Sequence, residues 1–111
     1  MEISLDSKFL LKIVWLESKL GIAVDQVIGQ ANSPLTIYFF WGEQIQGESA
    51  WDRLKFELDS KHWISEIAKN DILNQATNVI NYWQDLREEN KKVTIDEVQN
   101  KFPEVVFTGS N

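Results

Sequence analysis

The chain reads as an α+β domain: a small antiparallel sheet, built from an N-terminal hairpin plus a further strand, with two to three helices packed on one face. Two observations predict it. Runs rich in β-branched and aromatic residues fill the first 41 positions, and from Ser49 onward apolar residues recur at three- and four-residue steps. Strands first and helices later is the order of an α+β fold. With 111 residues, the sequence suits one domain over 1–111, with 1–7 and 109–111 as flexible tails.

The elements follow in order. Phe9 to Leu16 is apolar and β-branched with one lysine inside it, and Ile22 to Val27 and Ile28 form a second run. The connection between them contains Gly21, which suggests an antiparallel hairpin whose turn uses the positive φ open to glycine. Gly29 to Pro34 reads as a loop, because Pro34 biases Ser33 towards extended geometry. Leu35 to Trp41 is a second extended stretch, and Gly42 to Glu48 an exposed polar loop. Ser49 can cap a helix from Ala50 to Asp59. Ile72, Leu73, Ala76, Val79, Ile80 and Trp83 make one stripe of a longer helix, from about Ser65 to Arg87. Thr94 and Glu97 have capping-box spacing for a short third helix that Pro103 ends. Val105 to Thr108 can add a last strand.

Composition narrows the function. Thirteen aromatic residues supply the apolar surface that folding needs. The absence of cysteine removes thiolate zinc sites and cysteine nucleophiles and favours a reducing compartment. The single His62 cannot build a histidine-rich metal site. No apolar run approaches the roughly 18 residues of a membrane span, and the N-terminus fits neither a secretory signal nor an arginine-rich transit peptide. A net charge of −6 counts against a free DNA or RNA binder, which is usually basic, but leaves room for a local positive patch inside a larger assembly. Walker, dinucleotide, HExxH, GxSxG and EF-hand patterns are all missing. His62 reads as a loop histidine, and Glu88-Glu89 as a solvated helix end. No catalytic, metal or cofactor-binding residue is therefore assigned, and the chain is read as a non-enzyme.

Tryptophans and cations are the remaining candidates. Trp15, Trp51 and Trp83 lie on apolar stripes and read as core. Trp41 and Trp63 can be core or exposed anchors, since tryptophan is enriched at interface hot spots. Lys8, Lys12 and Lys19 fall near the hairpin, and Arg53, Lys55, Lys61 and Lys69 in the middle of the chain. Equal numbers of acids offset them locally, with three of each sign over residues 1–24 and four of each over 51–70. A side-chain period of two places Tyr38 and Phe40 on one face, Phe39 and Trp41 on the other. The candidate contact set is Lys12, Lys19, Tyr38 and Trp41, with Arg53, Lys55 and Lys61 as the next cations. Lysines beside aromatics can hold an RNA backbone and unstacked bases.

Several segments together resemble one family. They are Ser33-Pro34-Leu35-Thr36 with Tyr38-Phe39-Phe40-Trp41, Ala50-Trp51, Trp63-Ile64-Ser65, Leu73 to Thr77, Val79 to Gln84, and Phe102 to Phe107. Over residues 8 to 108 the chain resembles plastid-specific ribosomal protein 3, a small-subunit protein of chloroplasts with counterparts in cyanobacteria. The resemblance implies a non-enzymatic accessory component of the 30S subunit. It implies contacts with 16S ribosomal RNA and neighbouring ribosomal proteins, and a role in stabilising or tuning translation. It also implies a cyanobacterial cytoplasmic protein or a plastid-encoded one of the stroma, without cofactor, membrane or small-molecule partner, and monomeric when free. The alternative is a protein–protein adaptor or regulator of the same compartment that needs no RNA.

Overall fold

The computed structural model describes residues 7–42 and 49–109. Residues 43–48 of the expected polar loop, and tail residues 1–6 and 110–111, lie outside that range. In chain order the elements are β1 (Ser7–Trp15), β2 (Leu20–Ile28), β3 (Ala31–Pro34), β4 (Phe39–Trp41), α1 (Ala50–Asp59), α2 (Glu66–Glu88), α3 (Ile95–Lys101) and β5 (Val106–Gly109). The fold is α+β. The sheet is mixed rather than purely antiparallel, because β5 joins β1 in parallel after the chain has crossed over through three helices.

β1 and β2 pair over their whole length, from Ser7↔Ile28 to Trp15↔Leu20. The turn between them is residues 16–19, so Gly21 is not in it. Gly21 sits inside β2 opposite Val14, without a positive φ. It is needed for close approach: a Cβ there would meet Phe40 Cε1 at 2.8 Å. The segment expected as a loop up to Pro34 is also extended. Gly29, at φ 61°, and Gln30 form a two-residue turn from which β3 returns along β2. Pro34 is tolerated because β3 lies at the sheet edge. β4 then pairs with the other half of β2, Leu20↔Trp41 to Ile22↔Phe39. Between β3 and β4 the edge bulges. The amides of Leu35 and Thr36 both donate to the Val24 carbonyl (2.9 and 3.3 Å), and the Val24 amide donates to Thr36 Oγ1 (3.0 Å). A side chain thus replaces a backbone partner, and Val24 loses neither hydrogen bond.

The helices begin where short polar side chains cap them. Ser49, Ser65 and Thr94 accept from the amides of Asp52, Ala68 and Glu97, each at 3.1 Å. Thr94 adds a full capping box, its own amide donating to Glu97 Oε1 at 2.8 Å. The α2 stripe of Ile72, Leu73, Ala76, Val79, Ile80 and Trp83 is buried, and Leu86 extends it. It packs on Leu11, Ile13, Trp15, Leu20, Ile22 and Val24, one face of the hairpin. Trp83 Nε1 donates to the Leu16 carbonyl (2.9 Å) and Arg87 to the Ser18 carbonyl (3.1 Å), so α2 holds the β1–β2 turn by two polar contacts as well as by packing. Trp15, Tyr82, Phe102 and Phe107 form a chain of ring contacts with centroids 5.7–6.2 Å apart, joining β1, α2, the end of α3 and β5. The Gln99 amide locks β5 in place, donating to the carbonyls of Phe102 and Val105 and accepting from the Phe107 amide.

Candidate functional site

Strand alternation sorts the sheet into two faces. Register puts Trp15, Ile13, Leu11, Leu20, Ile22, Val24, Phe39 and Phe107 under the helices. The opposite face carries Leu10, Lys12, Val14, Gly21, Ala23, Asp25, Phe40, Val106 and Thr108. No helix packs on it among the described residues.

On this helix-free face two of the predicted residues, Lys12 and Tyr38, meet, and a third, Lys19, lies over a different ring. Lys12 Nζ lies 5.4 Å from the centroid of the Tyr38 ring, and Lys19 Nζ 4.7 Å from that of Phe40. Tyr38 is 37% exposed, at the edge of the bulge, beside the more exposed Ile37. Val106 adds a further exposed apolar side chain, opposite Lys12 in the register. The result is a surface of rings and aliphatic side chains on which ammonium groups rest.

Lys12 is less available than a surface lysine. Its ammonium is 2.9 Å from Asp25 Oδ1, with side-chain exposures of 26% for Lys12 and 8% for Asp25. That Oδ1 is buried and has no hydrogen bond beyond this ionic contact among the described residues. The bond to Asp25 raises the Lys12 pKa above its ordinary value; partial burial opposes the rise and Tyr38 adds to it. The charge of Lys12 is therefore committed inside the sheet, and what it offers outward is its aliphatic stem.

The other predicted residues sit elsewhere. Trp41 is half-buried on the opposite side of β4, packed against the core. Arg53 is exposed on α1, its guanidinium 5.0 Å over the Phe39 ring. Lys55 pairs with Asp59 at 2.8 Å, a bond that raises the lysine pKa and lowers that of the carboxyl. Lys61 pairs with Glu57 at 3.3 Å. Among the tryptophans, Trp15 and Trp83 are core, Trp51 is half-buried with Nε1 donating to the Leu73 carbonyl (3.3 Å), and Trp63 is 60% exposed. Phe40 was missed as a candidate. The period of two that put it beside Tyr38 was the signal that could have found it.

Sequence reasoning also missed a cleft on the helix side of the sheet edge. Trp41 and Trp51 form its walls, and Thr77, Ile80, Asn81 and Gln84 on one stripe of α2 form its floor, enclosing 270 Å³. A second hollow of 290 Å³ lies at the end of α2 between Trp15, Trp83, Arg87 and Lys92. Lys92 is bonded there to Glu17 at 2.8 Å. Among the described residues no group of three or more histidine, cysteine, aspartate or glutamate side chains is placed to hold a metal ion. No helix among the described residues is long and apolar enough to cross a membrane.

Known proteins are similar to this chain over nearly all of its length. Residues 35–86, from the edge bulge through α2, match the family described as "Plastid and cyanobacterial ribosomal protein (PSRP-3 / Ycf65)". The chain is 47% identical over 105 residues to small ribosomal subunit protein cS23 of Gracilaria tenuistipitata var. liui, covering 95% of this chain and 99% of that one. It is 50% identical over 103 residues to a probable small ribosomal subunit protein cS23 of Synechococcus sp. (strain JA-3-3Ab), covering 93% and 97%. To the cS23 protein of Mesostigma viride it is 48% identical over 101 residues, covering 91% of this chain and 76% of that one. The family match runs through the bulge, β4 and the α2 stripe, the relatives match over more than nine-tenths of this chain, and on this footing the chain belongs to the plastid and cyanobacterial family of small-subunit ribosomal proteins.

Proposed function

We propose that this protein is an accessory component of the 30S subunit that lays its helix-free sheet face against 16S ribosomal RNA, working in the cyanobacterial cytoplasm or the plastid stroma. The observation that carries the reading is the placement of Lys12 and Lys19 over the rings of Tyr38 and Phe40 on a sheet face that no helix covers among the described residues. Rings give unstacked bases a stacking platform, and the Lys19 ammonium beside one of them attracts phosphate. Lys8, exposed at the start of β1, extends the positive end of the same face. Lys12 acts as a positioning residue, holding Tyr38 while its charge is met by Asp25. The negative balance of the whole chain suits a peripheral protein with a small RNA footprint, and the accessory role is to stabilise the particle or tune translation.

The test is co-sedimentation with 30S subunits of the source organism over a salt series. The parent protein should be released as salt rises, and Lys8→Gln with Lys19→Gln should lower the slope of log K against log salt by about 1–2, one counter-ion per lost phosphate contact. Tyr38→Ala should weaken association with little change in slope. Unchanged association of all these variants at physiological salt would overturn the RNA reading. A salt-insensitive association would favour the adaptor reading instead.

A further inference from the structure

The cleft between Trp41 and Trp51 lies on the opposite side of the sheet from the proposed RNA face. At 270 Å³ it is smaller than the roughly 300–1,000 Å³ of small-molecule pockets, and it suits one or two protruding side chains. Its walls are two indoles from different elements. Trp51 is held by its bond to the Leu73 carbonyl, and Trp41 by pairing of β4 with Leu20. The Thr77 hydroxyl is spent on the Leu73 carbonyl (2.9 Å). The side-chain amides of Asn81 and Gln84, one α2 stripe on, have no hydrogen-bond partner among the described residues and face the opening. An extended peptide brings unmet backbone N–H and C=O groups, which such amides can satisfy two at a time. Paired aromatic walls are also how grooves take proline and the stems of basic side chains.

Charge decides between peptide and RNA. Among the described residues, no lysine or arginine lines the cleft. Two carboxylates adjoin this uncharged lining: Asp52 is bonded to the lining Ser49 (3.1 Å), and Glu88 follows Gln84 by one helical turn. Of the nearby arginines, Arg53 is turned onto the Phe39 ring and Arg87 onto the Trp83 ring. Carboxylates beside an uncharged lining repel phosphate and attract lysine and arginine.

We propose that the Trp41–Trp51 cleft is a docking groove for an extended, lysine- or arginine-bearing segment of a neighbouring protein. Indoles take its proline or basic stems, Asn81 and Gln84 bond its backbone, and Asp52 and Glu88 hold its charges. This goes beyond the RNA reading and does not depend on it.

A photo-reactive benzoylphenylalanine at Asn81, with a second protein carrying it at Tyr38, separates the two readings in intact subunits. Irradiation should join position 81 to a polypeptide, at a segment containing lysine or arginine. That segment, made as a synthetic peptide, should shift the indole N–H signals of Trp41 and Trp51 in the purified protein and leave that of the distant, exposed Trp63 unmoved. Asn81→Ala with Gln84→Ala, and separately Glu88→Lys, should each weaken that peptide about tenfold. The groove proposal is overturned by an adduct from position 81 to 16S RNA, by an adduct back onto residues 43–48 of this chain, by one to a segment without basic residues, by no adduct at all, or by unaltered peptide affinity in the variants. Loss of the adduct from Tyr38 alone counts against the sheet face and leaves the groove standing.

Discussion

Replacing Lys12 with alanine should destabilise the protein by about 3 kcal/mol. The reason is the partner left behind: Asp25 is 8% exposed in its side chain, and among the described residues its buried Oδ1 has only the Lys12 ammonium, at 2.9 Å. Breaking a buried pair by removing one member costs about 3–5 kcal/mol, and the 26% exposure of Lys12 lets water reach the orphaned carboxylate, which favours the low end. Urea unfolding followed by tryptophan fluorescence is the assay. With a slope of about 2 kcal/mol/M, the midpoint should fall by about 1.5 M without a change in slope. Lys12→Glu should be worse, because it faces one carboxylate with another. Removing both charges, Lys12→Met with Asp25→Leu, should restore stability to within about 1 kcal/mol of the parent. The pH dependence has a definite sign. The folded-state pKa of Lys12 is raised above 10.5, so its contribution is complete below that pH and is lost only as pH rises through the higher folded value. A loss under about 0.5 kcal/mol for Lys12→Ala, or a double variant no more stable than the single one, would refute this account. The same reasoning bars Lys12→Glu with Lys19→Glu as a clean test of binding. That pair is innocuous only if both lysines are plain surface residues, and Lys12 is not.

Three further outcomes follow from packing and capping. Trp83, 4% exposed and bonded to the Leu16 carbonyl, should cost about 3–5 kcal/mol as Trp83→Ala, read as a lower urea midpoint. Gly21→Ala should cost about 1–3 kcal/mol, because its new Cβ meets Phe40 Cε1 at 2.8 Å, and Gly21→Ala with Phe40→Leu should recover part of that loss in a double-mutant cycle. Thr94→Ala removes one half of the capping box and should cost about 1 kcal/mol in thermal or urea unfolding, with hydrogen exchange accelerating first at the amides of α3.

The helices were legible because their signals are local. Ser49, Ser65 and Thr94 cap within three residues, and the α2 stripe runs through six apolar residues from Ile72 to Trp83. The sheet was harder to read because its decisive contacts are distant. Gly21 looked like a turn residue, since glycine serves turns and close approach equally well, and only Phe40, nineteen positions later, tells which. Ala31 to Pro34 looked like a loop from composition, since an edge strand exposed throughout carries no apolar alternation. The parallel docking of β5 depends on Gln99 and on a ring cluster drawn from four elements. On the candidate site, the alternation that separates Tyr38 and Phe40 from Phe39 and Trp41 was readable from spacing. The pairing of Lys12 with Asp25 was not, because it crosses two strands.

The arrangement of charge also bears on how an acidic chain belongs to a family of ribosomal proteins. Most of its mid-chain lysines are engaged at home: Lys55 with Asp59, Lys61 with Glu57, Lys69 with Asp59 and Glu66. Such i,i+3 and i,i+4 pairs add little to helix stability, but they weaken the field that would otherwise draw phosphate to α1 and α2. In the proposed reading, attraction for RNA is left to the hairpin side, where Lys19 lies over the Phe40 ring and Lys8 is exposed at the start of β1. The acidic remainder is then free to meet basic protein segments. A particle whose other components are held together by phosphate and basic side chains offers both kinds of surface at once. A chain with opposite preferences on its two faces can bridge them while carrying a net charge of −6. If this division is right, charge changes on the two faces should act in opposite directions. Added positive charge on the hairpin face should strengthen association with the subunit, and the same charge placed at Asp52 or Glu88 should weaken it. Co-sedimentation of Ser18→Lys beside Glu88→Lys at one fixed salt concentration measures both, and equal shifts in the same direction would sink the idea of two faces.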